Sequence, residues 1–150
     1  MLGRCVALED RVKAALPPHS LTVGVYYRMK VHQKVFHSSQ YPQRGTSCSY
    51  IALTTSGQHL LLEAFVSRHN GAAFAIGKPL ELLALSESFQ ISVCPLQVNS
   101  LLANFHHVQP GGGKNPMIAV SAIQLVSRCY LCESENFWLL RDAIEDFEHD

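Results

Sequence analysis

The stretch "YYRMKVHQKVFHSSQYPQRGTSCSYIAL", Tyr26 to Leu53, decides the fold class. Read with the residue before it, its first part alternates. Val25, Tyr27, Met29 and Val31 fall on one side, and Tyr26, Arg28, Lys30 and His32 on the other. A period of two, carried by β-branched and aromatic residues, is the signature of a strand with one wet face. "SSQYPQRGTS" then collects Ser, Gln, Pro and Gly, which favour turns and loops, and "CSYIALTT" resumes strand character. The stretch reads as a solvated hairpin leading into a further strand.

Outward from it, short apolar runs keep alternating with turn signals. "SGQ" (Ser56–Gln58) is a hairpin turn, "HLLLEAFVSRH" a strand and "HNG" (His69–Gly71) a second turn. "AAFAIGKPLELLAL" and "SFQISVCPLQV" supply two more candidate strands, the first interrupted at Gly77 and Pro79. "NSLLANFHHVQP" leaves more than one reading open, among them a short helix through Phe105 capped by Asn99 or Ser100. "MIAVSAIQLVSRCYLCES" is the strongest long β candidate, with a turn at Val120–Ile123 as the place where a new strand starts. "ENFWLLRD" reads as a last strand. At the front of the chain, Leu2, Val6, Leu8, Val12, Ala15 and Leu16 recur at helical spacing opposite Glu9, Asp10, Arg11 and Lys13, and Pro17 and Pro18 stop the pattern. The expected architecture is mainly β: a small antiparallel barrel or sandwich with an N-terminal amphipathic helix. The divisions are residues 1–18 for the helix, 19–142 for the β domain and 143–150 for an acidic tail.

With 150 residues, 47% of them apolar, one domain can bury its own core without a metal or disulfide. Only 16% of residues are charged, below the usual quarter or so, which suggests a surface partly covered by a partner. The formal net charge is zero but unevenly spread. Residues 133–150 hold seven acidic residues and only Arg141 on the basic side, which leaves eleven basic and five acidic residues in 1–132. A basic body of this kind attracts polyanions. The five cysteines and the absence of a signal-peptide pattern point to a reducing compartment, nuclear or cytoplasmic. The longest apolar runs are too short to span a membrane.

The chemistry-bearing candidates are few. "CYLC" (Cys129–Cys132) is a single Cys-x-x-Cys inside an apolar strand, where alternation sends the two thiols to opposite faces; ordinary buried cysteine is the expectation. The eight histidines match no metal spacing, and no Gly-x-Ser-x-Gly elbow is present. The five carboxylates before residue 133 are Glu9, Asp10, Glu63, Glu81 and Glu87, and they are not grouped, which argues against hydrolytic and metal-dependent nuclease chemistry. "PGGGKNP" (Pro110–Pro116) lacks the spacing of a phosphate loop and reads as a connector. No cofactor and no metal are expected. What stands out is cations among aromatics: Arg28, Lys30, Lys34 and Arg44 with Tyr26, Tyr27, Phe36 and Tyr41. Basic groups attract phosphate and aromatic rings stack bases.

Two blocks also resemble a known family. His37, Ser38, Tyr41, Arg44, Ser49 and Tyr50, followed by Val120, Ser121, Ile123 and Cys129, resemble the β-rich C-terminal segment of proteins encoded by CACTA-type and related DNA transposons. The second block is also similar to the closing part of bromo-adjacent homology (BAH) domains, which are β-rich chromatin-interaction modules. The resemblance implies a BAH- or SH3-like β fold and an accessory, non-catalytic role. The expectation is then an interaction module that contacts nucleic acid or chromatin through Arg28, Lys30, Lys34, His37, Tyr41, Arg44, Lys114 and Arg128. Two other readings stay open: a protein–protein scaffold in which the N-terminal helix docks a partner, and a metal-dependent nuclease using His37 or His69.

Overall fold

A computed structural model describes residues 1–7, 9–17, 22–41, 48–69, 71–84, 105–108, 113–133 and 138–142. The elements in chain order are helix α1 (Asp10–Ala15) and strands β1 (Thr22–Tyr26), β2 (Arg28–Val31), β3 (Lys34–His37), β4 (Cys48–Thr54), β5 (His59–Arg68), β6 (Ala73–Pro79), β7 (Leu83–Ala84), β8 (Phe105–Val108), β9 (Ile118–Ser121), β10 (Leu125–Glu133) and β11 (Trp138–Asp142). A short 3-10 turn, Ala122–Gln124, joins β9 to β10. The protein is mainly β, and all the pairings are antiparallel.

Among the described residues the large sheet has nine strands, in the order β7-β8-β11-β10-β4-β5-β6-β9, with β1 added on β5. Among the described residues its end strands β7 and β9 do not pair, so of the expected barrel or sandwich the closed barrel does not form and the sheet is open. Turn spacing sets how many strands a chain makes, but closure depends on whether the end strands meet. A second, two-stranded sheet, β2-β3, lies against the first.

Strand β5 organises the whole. Leu60 to Val66 are all buried, because the strand is covered on both faces. Leu60, Leu62 and Phe65 join Met29, Val31 and Phe36 of the hairpin on one side. Leu61 packs with Ile51, Leu131 and Leu140, and Ala64 and Val66 pack with Val12 of α1 on the other. The alternation slips once, between Leu62 and Ala64, where the pairing with β6 shifts register and Glu63 is the extra residue of a bulge. On the opposite edge β5 has two partners end to end. Its first part pairs with β4 and its last part with β1, and between them the Ser39 amide donates to the Leu62 carbonyl at 2.8 Å. The bulge therefore sits where the edge changes partner.

Three expectations need correction. The N-terminal helix is six residues, not the whole of 1–18; Leu2 and Val6 instead form β-bridges to Arg28 and Val25. Backbone pairing to an available strand edge wins over helical periodicity at a frayed start. The alternating run from Thr22 is also two strands, broken at Tyr27, so that β1 pairs with β5 while β2 pairs with β3. Phe105 opens a strand rather than ending a helix, and Asn99, Ser100 and the acidic tail 143–150 lie outside the described residues. Among the described residues no helix is long and apolar enough to cross a membrane.

Candidate nucleic-acid interface

The hairpin β2-β3 turns at His32 and Gln33, whose φ values of 48 and 69° are left-handed. Two consecutive residues of this kind make the tight turn whose twist matches a hairpin. With the turn placed there, Arg28 pairs with His37, Met29 with Phe36, Lys30 with Val35 and Val31 with Lys34. Met29, Val31 and Phe36 point down into the core, and Arg28, Lys30 and His37 are left on the outer side. Lys30 is exposed.

Three contacts hold the hairpin to the start of β10. The His32 ring Nε2 lies 3.2 Å from the Ile123 carbonyl. Lys34 Nζ donates to the Val126 carbonyl at 3.1 Å, and an Arg128 guanidinium N–H donates to the Val35 carbonyl at 3.3 Å. Lys34 and Arg128 thus serve the fold as well as the surface charge. At the other end of the hairpin, Arg28 donates to the Tyr41 hydroxyl at 2.8 Å, with its guanidinium carbon 5.1 Å from the ring centroid. The His37 ring lies 5.0 Å from the same ring. Tyr41 is placed by a tight turn, in which its amide donates to the Ser38 carbonyl and the Ser38 hydroxyl accepts from the Gln40 amide. Ser38 is fully buried, which explains a serine between two hairpin ends better than catalysis does.

Beside the hairpin, β10 buries Leu125, Ser127, Cys129 and Leu131 and exposes Val126 and Tyr130. A register shift against β4 between Leu125 and Ser127 puts Leu125 in the hairpin-side cluster and Cys129 and Leu131 in the opposite one, and Arg128 and Tyr130 then share the hairpin side. Tyr130 is 43% exposed. It stands opposite Arg141 in the β10-β11 pairing, and Arg141 stands opposite Phe105 in the β11-β8 pairing, 5.7 Å from its ring. Tyr130, Arg141 and Phe105 therefore form a row across three strands. Hairpin and sheet make a ledge: the hairpin is the step, and the outer face of β10-β11-β8 is the floor. Residues 22–41, 105–108, 125–132 and 138–141 contain no Asp or Glu, and the carboxylates of the floor strands are at their ends, Glu133 of β10 and Asp142 of β11.

Arg28, Lys30, His37 and Tyr41 come together on the outer side of the hairpin, with Arg128 beside it on β10. Lys34, paired with Val31 and two residues before Phe36, shares their inward face and reaches the Val126 carbonyl from there. Lys114 does not join them: it stands on a loop tied to the end of β6, where Lys78 donates to the Gly113 carbonyl and Asn115 to the Pro79 carbonyl. Arg44 lies outside the described residues. Tyr130, Arg141 and Phe105 were not among the sequence candidates. The alternation in "LVSRCYLC" already sets Arg128 and Tyr130 on one face, but the strand register that adds Arg141 and Phe105 is a long-range fact.

Glu63, on the bulge, accepts from Arg11 of α1 at 3.0 Å and from Gln40 at 3.4 Å. The Arg11 pKa is raised, first by its hydrogen bond to Glu9, against a lowering from partial burial, and further by the charge of Glu63. That is an ion pair joining the helix to the sheet. Among the described residues no group of three His, Cys, Asp or Glu side chains is arranged to hold a metal ion. A cleft of about 380 Å³ lies on the other flank of the hairpin, between residues 29–32, 71–73 and 121–123.

No family model, curated protein or solved structure matches this chain. Its function is therefore read from the ledge itself.

Proposed function

We propose that this chain is a non-catalytic interaction module that binds nucleic acid, free or within chromatin, through the outer side of the hairpin and the adjoining face of β10. The observation that carries the reading is the gathering of Arg28 and Lys30 with His37 and Tyr41 on the outer side of the hairpin, with Arg128 and Tyr130 on the adjoining face of β10, over hairpin sequence that contains no carboxylate. Cations without neighbouring anions attract a phosphate backbone and release its counterions. The transposon-type and BAH-like sequence blocks support the same role, with a BAH- or SH3-like variant as the fold and nuclear residence as its corollary.

A protein partner is the second reading, favoured by one observation. Ile123 and Val126 are 70% and 38% exposed beside the hairpin seam, an apolar contribution that a phosphate backbone does not use. The helix is a weaker docking element than its sequence suggested, because Val12 is spent inside the chain against Val25 and Val66.

The test is fluorescence anisotropy with a labelled oligonucleotide at low salt. Binding is expected, and Lys30→Glu, at an exposed position, is expected to weaken it about tenfold while leaving the melting temperature unchanged. No binding at low salt contradicts the proposal.

A further inference from the structure

We infer that the strand bound on this ledge is single rather than double. The inference rests on the nucleic-acid reading above and adds the form of the ligand. A duplex hides its base faces inside the stack, and proteins read it by sending a helix or a two-stranded ribbon into a groove. Among the described residues there is neither to send. Helix α1 has six residues and packs Val12 into the core. The hairpin is a two-stranded ribbon, but its tip is folded down: His32 is tied to Ile123 and Lys34 to Val126. The ribbon lies on the sheet instead of projecting from it.

The floor of the ledge suits exposed bases. Tyr130 presents its ring at the centre of β10, and the row Tyr130–Arg141–Phe105 crosses three adjacent strands. Strands lie about 4.8 Å apart, so the row is roughly 10 Å long, enough for splayed bases on the two rings with a phosphate near the guanidinium between them. Arg128, two residues before Tyr130 on the same face, and Lys30 on the hairpin extend the positive track to the Arg28–Tyr41–His37 cluster. Rings interleaved with cations on a flat sheet face fit a single strand, whose π-faces are open, better than a duplex. Tyr130 is thereby assigned as a stacking residue and Arg141 as a phosphate contact.

The experiment measures affinity for one oligonucleotide of roughly 15 nucleotides, presented as a single strand and as a blunt duplex, at low salt. The wild type, Tyr130→Ala, Tyr130→Phe and Lys30→Glu are compared, with circular dichroism confirming each fold. The single strand is expected to bind at least about tenfold tighter than the duplex. Tyr130→Ala is expected to lose about fivefold to a hundredfold on the single strand and nothing on the duplex, while Tyr130→Phe keeps its affinity. Lys30→Glu weakens both forms. Equal or tighter duplex binding that stays sensitive to Lys30→Glu overturns this inference and leaves the nucleic-acid reading standing. Single-strand preference that survives Tyr130→Ala overturns the stacking assignment. Failure of both forms to bind overturns the underlying reading as well.

Discussion

Arg128 of β10 reaches across to the main chain of Val35 in the hairpin, its guanidinium 3.3 Å from the carbonyl oxygen. One residue thus belongs to the fold and to the charged surface at once. Lys34 makes the reciprocal reach to the Val126 carbonyl. The hairpin is seated over β4 and β5 by Met29, Val31 and Phe36, and these two cations tie its free side to β10.

Replacing Arg128 with Met keeps the apolar stem and removes the donors. The expected cost is about 1–2 kcal/mol, the range for a hydrogen bond from a charged group that leaves a carbonyl unpaired. Urea unfolding measures it. Affinity for an oligonucleotide should fall as well, because the charge goes with the bond.

The hairpin turn carries a stored cost. Gln33 holds a φ of 69°, a region that side chains other than glycine occupy unfavourably. Gln33→Gly should raise stability by about 0.5–1 kcal/mol, seen as a higher thermal midpoint. His32 is a poor site for the same change, since its ring is bonded to Ile123. A lower midpoint for Gln33→Gly would mean that the turn is not formed as described.

Gly77 answers a different need. A Cβ there would lie 2.6 Å from the Leu61 carbonyl oxygen and 2.8 Å from Leu60 Cγ. Main chain cannot yield as a flexible side chain can, so Gly77→Ala should destabilise by about 1–3 kcal/mol. Chemical denaturation of the variant checks this, and a neutral result would contradict the close β5-β6 approach.

How much of this was legible in the sequence differs by element. The strand at His59–Arg68 and the turns at residues 56–58 and 69–71 could be read, because a seven-residue buried run between turn formers has few other uses. The break at Tyr27 could not: Val25 to Val31 alternate without interruption, and only the competition between β5 and β3 for pairing splits them. The helix was overdrawn because helical spacing in Leu2–Val6 is also compatible with single bridges to a strand edge. On the ledge, the hairpin cations were legible as residue types. That Lys34 and Arg128 are also structural, and that Arg141 and Phe105 stand beside Tyr130, depends on register between strands far apart in sequence. Lys114 shared only its charge with the others, and charge alone does not say where a loop lies.

The bulge at Glu63 gives a test of how the N-terminal segment is attached. Its side chain is 10% exposed and takes its cation from Arg11, which is 44% exposed. Arg11→Ala should cost about 1–2 kcal/mol, less than a fully buried pair because water screens the arginine. Adding Glu63→Gln should recover part of that loss, since the buried charge is then gone. A double-mutant cycle by urea unfolding reads the coupling. Strict additivity would show that Arg11 and Glu63 do not couple and that the helix is held by its apolar contacts, Val12 with Ala15 and Leu16.

The most direct measurement is the salt dependence of oligonucleotide affinity. For a single strand the logarithm of the association constant falls with the logarithm of salt by about 0.7 per phosphate neutralised. With Arg28, Lys30, Arg128 and Arg141 along the track, a slope of about −2 to −3 is expected, and Lys30→Ala should make it shallower by about 0.7. A slope near zero, or one that Lys30→Ala leaves untouched, would show that the ledge does not carry the contact.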